Sequence, residues 1–159
     1  MFKTTFLRTY LIFGLLAGLI YCIPVYFFIQ RANYTQTWLL YLGNFLFMVI
    51  IIVFLIFISR LKNENSGTLS LIVTGEKEVI LGTIIASILA FVLLAILIRG
   101  LFGNGIPGKV LSDRPVSIIH DRTHGLDFMV LTNAVIGNFV TGSFISVILP
   151  ASLGRYQRK

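Results

Sequence analysis

Charge is what this chain has least of. Of its 159 residues only 12% are Asp, Glu, Lys or Arg, about half of what a soluble domain of this size carries. Four stretches, roughly Tyr10–Ile29, Trp38–Ser59, Val79–Ile98 and Phe128–Leu149, contain no Asp, Glu, Lys, Arg or His. Cysteine is nearly missing too. Cys22 stands alone, so an internal disulfide and a Cys-x-x-Cys redox pair are both excluded. No nucleophile elbow is present. The glycine-rich run from Gly103 to Gly108 is a turn, not a phosphate cradle, because no Lys-Ser/Thr pair follows it.

What is present in quantity is apolar surface, 57% of the residues. A bilayer core needs about 20 apolar residues per helix, and each of the four stretches reaches that length. The sequence therefore predicts an all-α integral membrane protein, a four-transmembrane-helix bundle with a short amphipathic helix in the third loop. It reads as a single membrane domain over residues 1–159, with spans near 9–30, 37–60, 78–100 and 127–150. Too little chain remains for a separate soluble domain. The first stretch is longer than a signal-peptide core and no small-x-small site follows it, so it reads as a retained helix. Tyr21 before Cys22 departs from a lipidation signal.

The net charge of +7 lies in loops and tails beside the spans, which is membrane topology and not a nucleic-acid footprint. With both termini cytoplasmic, Lys3, Arg8, Arg60, Lys62, Lys77, Arg155, Arg158 and Lys159 fall inside, and Arg31, Arg99, Lys109, Arg114 and Arg122 outside. That bias favours both termini in the cytoplasm of a bacterial inner membrane. Tyr21, Tyr26, Tyr34, Trp38 and Tyr41 read as an aromatic belt at the outer boundary.

The spans differ in composition. Gly14, Gly18 and Cys22 fall on one face of the first helix, and Gly82, Ala86 and Ala90 on one face of the third. The fourth carries Ala134, Asn138, Gly142 and Ser146 as one stripe, with Asn133, Gly137 and Thr141 beside it. Small residues let backbones approach closely in lipid. An amide in hydrocarbon needs a partner, so the fourth helix should bury this face against protein. The second helix, bulky nearly all round, reads as a lipid-facing wall. Pro24 should kink the first helix and Pro150 end or kink the fourth.

The candidates for chemistry lie outside the runs. Glu76 and Glu78 precede the third run, where they read as charges capping a helix N-terminus. Ser112 to Pro115 reads as the start of the amphipathic helix and Gly125 as its stop. His120 and His124 stand four residues apart, a spacing that lets two imidazoles share a metal. Two histidines fall short of the three ligands of a catalytic zinc, so no metal site and no cofactor are assigned. Asp113, Asp121 and Asp127 read as solvated ion pairs. The lack of charge inside the runs argues against ion-coupled transport and against membrane-embedded haem ligation.

Three segments carry a family resemblance. Tyr10 to Ile20 has a glycine-spaced opening, Arg60 to Ser70 forms a charged, glycine-containing loop, and Ile136 to Leu149 forms a small-residue last helix. Together they resemble a family of four-helix inner-membrane proteins of Bacteroidota, a domain of unknown function. The chain departs from it in the third loop, which lacks a long, charge-dense helix. The resemblance implies topology and no site residues. The leading expectation is a non-enzymatic accessory or structural subunit acting through helix packing with another membrane protein or itself, with the lipid bilayer as its surroundings. The alternative is a small channel or carrier for a neutral solute, lined by Asn133, Asn138, Thr141 and Ser146.

Overall fold

The structure, a computed structural model, describes residues 2–61, 67–98, 101, 108–113 and 123–156. Helix α1 spans Phe2–Arg31, α2 Trp38–Leu61 and α3 Thr68–Leu97. The fourth rod is composite. Helix α4 (Leu126–Thr132) runs into a π turn (Asn133–Gly137) and on into α5 (Asn138–Tyr156), with helical φ and ψ at both joints. A 3₁₀ turn, Tyr34–Gln36, links α1 to α2. Among the described residues four helices are long and apolar enough to cross a membrane: Leu7–Arg31, Tyr34–Leu61, Thr68–Leu97 and Leu126–Ser152.

The helices alternate in direction, so each touches its neighbours in a fixed register. An ideal Cβ at Gly18 would meet Ile85 and the Ala86 backbone at 3.0 and 3.2 Å, so α1 and α3 run side by side in parallel. Gly75 lies against Ser146, and Gly142 against Val79, which makes α3 and α5 antiparallel. Phe47 of α2 fills the space that Gly82 and Gly142 leave open. Bulky side chains such as Leu15, Leu19, Ile84, Ile88, Phe139 and Phe144 point outward. Inside, small residues at the helix crossings alternate with large rings and aliphatic groups such as Phe28, Phe47, Phe54 and Leu94. Small residues at the crossings suit a bundle whose outside is hydrocarbon.

Three readings need correction here. The third helix begins at Thr68, about three turns before the apolar run. Its buried positions Leu71, Thr74, Gly75, Glu78, Val79 and Gly82 follow the helical i, i+3, i+4, i+7 pattern. Glu76 and Glu78 therefore lie well inside a helix and cap nothing; Gly67 precedes the first turn, which holds no acidic residue. Second, α2 is no lipid-facing wall. It buries Leu40, Phe47, Ile51, Phe54, Leu55 and Ile58 among others, because glycines on α3 and α5 provide the recesses its rings need. Third, Tyr21 belongs to no belt: it is fully buried, while Tyr26, Tyr34, Trp38 and Tyr41 are exposed.

The two ends of the bundle differ. At the terminal end lie the first residues of α1 and α3 and the last of α2 and α5. At the opposite end the third loop is pinned to the first. Ser112 N–H donates to the Ala32 carbonyl at 2.8 Å, and Tyr34 N–H to the Ser112 carbonyl at 3.0 Å. Asn33 Nδ2 donates to Asp113 at 2.7 Å, and Lys109 Nζ to the Gln30 carbonyl at 3.1 Å and to Gln30 Oε1 at 2.8 Å. Ala32, Asp113 and His124 all hold left-handed backbone, with φ of 45°, 53° and 58°. Such φ values are uncommon outside glycine. The amphipathic helix expected between Ser112 and Gly125 lies mostly outside the described residues, as does His120.

Candidate functional site: two polar layers in one bundle

Polar side chains in the bundle interior gather at two levels with an apolar layer between them. The layer at the opposite end is built on the π turn. The Tyr21 hydroxyl donates to Asn133 Oδ1 at 3.1 Å across the bundle. One turn further along, Asn138 is fully buried, and its Nδ2 donates to the Ala134 carbonyl at 3.0 Å. Asn44 of α2 presses on Gly137 so closely that a Cβ there would stand 2.5 Å from its Nδ2. A Cβ there would push the amide aside, so glycine is what lets Asn44 reach the backbone. The register that sets Gly75 on Ser146 and Val79 on Gly142, carried one turn further, sets Thr83 opposite Asn138. Asn44 Oδ1, Asn138 Oδ1 and Thr83 Oγ1 are buried, with no hydrogen-bond partner among the described residues.

A cleft of about 290 Å³ opens beside this layer, lined by Thr37, Tyr41, Phe128, Thr132, Asn133 and Gly137 among others. The π turn shapes it. A π turn widens the backbone ladder by one residue and recurs at functional sites. Here it supplies three cleft residues, Asn133, Ile136 and Gly137. Above it, Gly125 (φ 89°) starts α4, and Asp127 occupies the first turn, accepting from Thr123 Oγ1 at 2.7 Å. A negative charge there suits the helix dipole.

The middle layer is apolar. Ala17, Phe47 and Val79 are fully buried, with Gly82 and Gly142 against them. Phe47 is its centre: a Cβ at Gly82 would stand 3.1 Å from the ring, and one at Gly142 3.2 Å.

The layer at the terminal end holds the two glutamates, which α3 turns to different neighbours. The Glu76 carboxylate accepts from Ser143 Oγ at 2.9 Å and from Ser146 Oγ, both on α5. Glu78 points the other way, toward α1. A Cβ at Gly14 would stand 3.4 Å from its Oε1. Glu78 is fully buried, and neither oxygen has a hydrogen-bond partner among the described residues. Tyr10 is its neighbour and is hydrogen-bonded to Thr74. Thr74 Oγ1 also donates to the Ser70 carbonyl at 2.6 Å.

The residues singled out in the sequence fall as follows. Gly14, Gly18, Gly82, Ala86 and Ala90 lie where α1, α2 and α3 meet. Cys22 is buried. Asn133, Gly137, Asn138, Gly142 and Ser146 face α1, α2 or α3 within the same chain. Thr141 turns back on its own helix, its hydroxyl donating to the Gly137 carbonyl at 2.8 Å. His124 sits in the turn before α4, and among the described residues no three His, Cys, Asp or Glu side chains converge as metal ligands. Sequence reasoning missed Glu78, Glu76, Asn44, Tyr21 and Thr83 as interior residues. The available signal was the amphipathic spacing upstream of residue 79.

No family model, no curated protein and no solved structure matches the chain.

Proposed function

We propose that the chain is a multi-pass membrane protein that carries a small, neutral, polar solute through its interior. The entrance is the cleft at the π turn, and the passage leads past Asn133 and Asn138. The observation that supports this reading most is the set of buried, unpartnered oxygens on Asn44, Asn138 and Thr83, set behind the cleft's lining, where Asn44 packs on Gly137. Buried polar atoms are nearly always satisfied, and in an apolar medium an orphan is costly. Amide and hydroxyl oxygens in this arrangement match a ligand that donates hydrogen bonds and carries no charge. The apolar layer at Phe47 separates the two polar levels, which fits a carrier that opens one side at a time better than a continuous pore. The proposed setting is a bacterial inner membrane, with the termini in the cytoplasm as the Lys and Arg bias favours.

The accessory-subunit reading drew on the small-residue stripes. The glycines of those stripes pack against neighbouring helices of the same chain, so they supply no argument for a partner.

Re-swelling of proteoliposomes after osmotic shock with glycerol or urea tests the proposal. Vesicles holding the protein should re-swell faster than protein-free vesicles, and Asn138→Leu should remove the difference. Equal rates for all three overturn the carrier reading.

A further inference from the structure

Among the described residues Glu78 is the one carboxyl that is fully buried with both oxygens unpartnered. Acidic side chains inside apolar helical bundles are rare, because an ionised carboxylate there is costly, and they mark ion or proton pathways. We propose that Glu78 is a proton-binding site inside the bundle, reached from the terminal end past Tyr10 and Thr74.

The surroundings favour a proton over a metal cation. From α1, Glu78 meets Tyr10 and the Gly14 backbone; Arg8 of the same helix is exposed. From α2 the rings and aliphatic groups of Phe54 and Leu55 fill this level, and Arg60 is exposed. From α5 come Ser143 and Ser146, both donating to Glu76. On α3 itself Lys77 is exposed. No described cation therefore meets the charge. A bound metal ion would need several oxygens, which membrane sites commonly take from unwound backbone. Here α1 and α3 are both continuous helix, and the proline of α1, Pro24, lies far from this level, so the carbonyls around Glu78 are held in the ladder. A proton needs no such shell and removes the charge outright.

The route is equally specific. Tyr10 precedes Gly14 by one turn of α1, and Thr74 precedes Glu78 by one turn of α3, so both lie on the terminal side of the carboxyl. Thr74 Oγ1 donates to the Ser70 backbone carbonyl, which only accepts, so the approach to Glu78 is marked by Tyr10 and Thr74 alone. The inference does not depend on the carrier reading: a proton site without solute flux leaves it standing, and flux without a proton site leaves the carrier standing.

Dicyclohexylcarbodiimide applied to the full chain in liposomes is the test. This reagent labels protonated carboxyls in apolar surroundings. The carboxyl O–H adds across one C=N bond, and the acyl group then moves from oxygen to nitrogen, leaving a stable acylurea with no group lost. Peptide mapping should find the adduct on Glu78, decreasing as pH rises and absent in Glu78→Gln. Tyr10→Phe should slow labelling several-fold. Because the reading is made on the unaltered chain, a variant that fails to fold does not decide it. Absence of an adduct on Glu78 at every pH overturns the site. Labelling suppressed by sodium at constant pH overturns it in favour of a metal cation. An unchanged rate in Tyr10→Phe overturns the route.

Discussion

The two polar layers of this bundle are built from similar material and end in different states. At the terminal end one glutamate, Glu76, is satisfied by two serines of α5, while Glu78 two residues later has no partner. At the opposite end Tyr21 satisfies Asn133, while Asn138 and Asn44 keep a free oxygen each. Each layer thus holds one satisfied group beside unsatisfied ones. The satisfied group in each layer ties the fourth rod to a neighbouring helix. The unsatisfied ones are the groups that the carrier and proton-site proposals rest on. The difference between layers is charge: carboxyl below the Phe47 layer, amide above it.

The sharpest way to break this comparison is to remove the layer between. Phe47→Ala should cost about 3–5 kcal/mol, read as a lower thermal midpoint in mild detergent, and should let water-soluble thiol reagents reach a cysteine placed at Val79. A stable, still impermeable variant would show that the two levels are not sealed by this ring. Next in size is Gly142→Leu, whose Cβ would lie 2.7 Å from Val79. Forcing α3 from α5 should cost about 1–3 kcal/mol and separate Ser146 from Glu76, seen as faster amide exchange in α5. Replacing Ser143 and Ser146 together by Ala leaves Glu76 without donors. The expected loss is about 2 kcal/mol, measured by the same thermal midpoint, and Glu76 should then become a second site for carbodiimide. The smallest effect belongs to Tyr21→Phe, which deletes one neutral hydrogen bond and should cost about 1 kcal/mol. A larger loss would mean that Tyr21 holds the π turn itself in place.

How far the sequence foretold this arrangement depends on the element. Four helical rods follow from the four apolar runs, because length and hydropathy are local properties. The start of α3 was not legible from hydropathy: Glu76, Lys77 and Glu78 interrupt an apolar window, but the backbone ladder continues through them. The helical spacing of Leu71, Thr74, Gly75 and Glu78 was the local clue. The role of α2 was hidden for another reason. A run of bulky residues looks alike against lipid and against protein, and what decides is the glycines on α3 and α5 that receive Phe47. Tyr21 is the clearest non-local case, since its partner Asn133 lies 112 residues away. The polarity of the fourth rod was visible in its amides, but the π turn that directs Asn133 and Gly137 to the cleft carries no sequence signal of its own.

That turn makes the fourth rod a splice of two segments. An α ladder would need one residue fewer between Asn133 and Gly137. Deleting Val135 or Ile136 would give a regular helix. A π turn takes up its extra residue by widening, so the segments on either side would keep nearly the faces they show now. Asn133 would still face Tyr21, and Asn138, Gly142 and Ser146 would keep their places. The fourth rod is thus a regular helix that has taken in one residue beside the cleft without turning either of its packed faces.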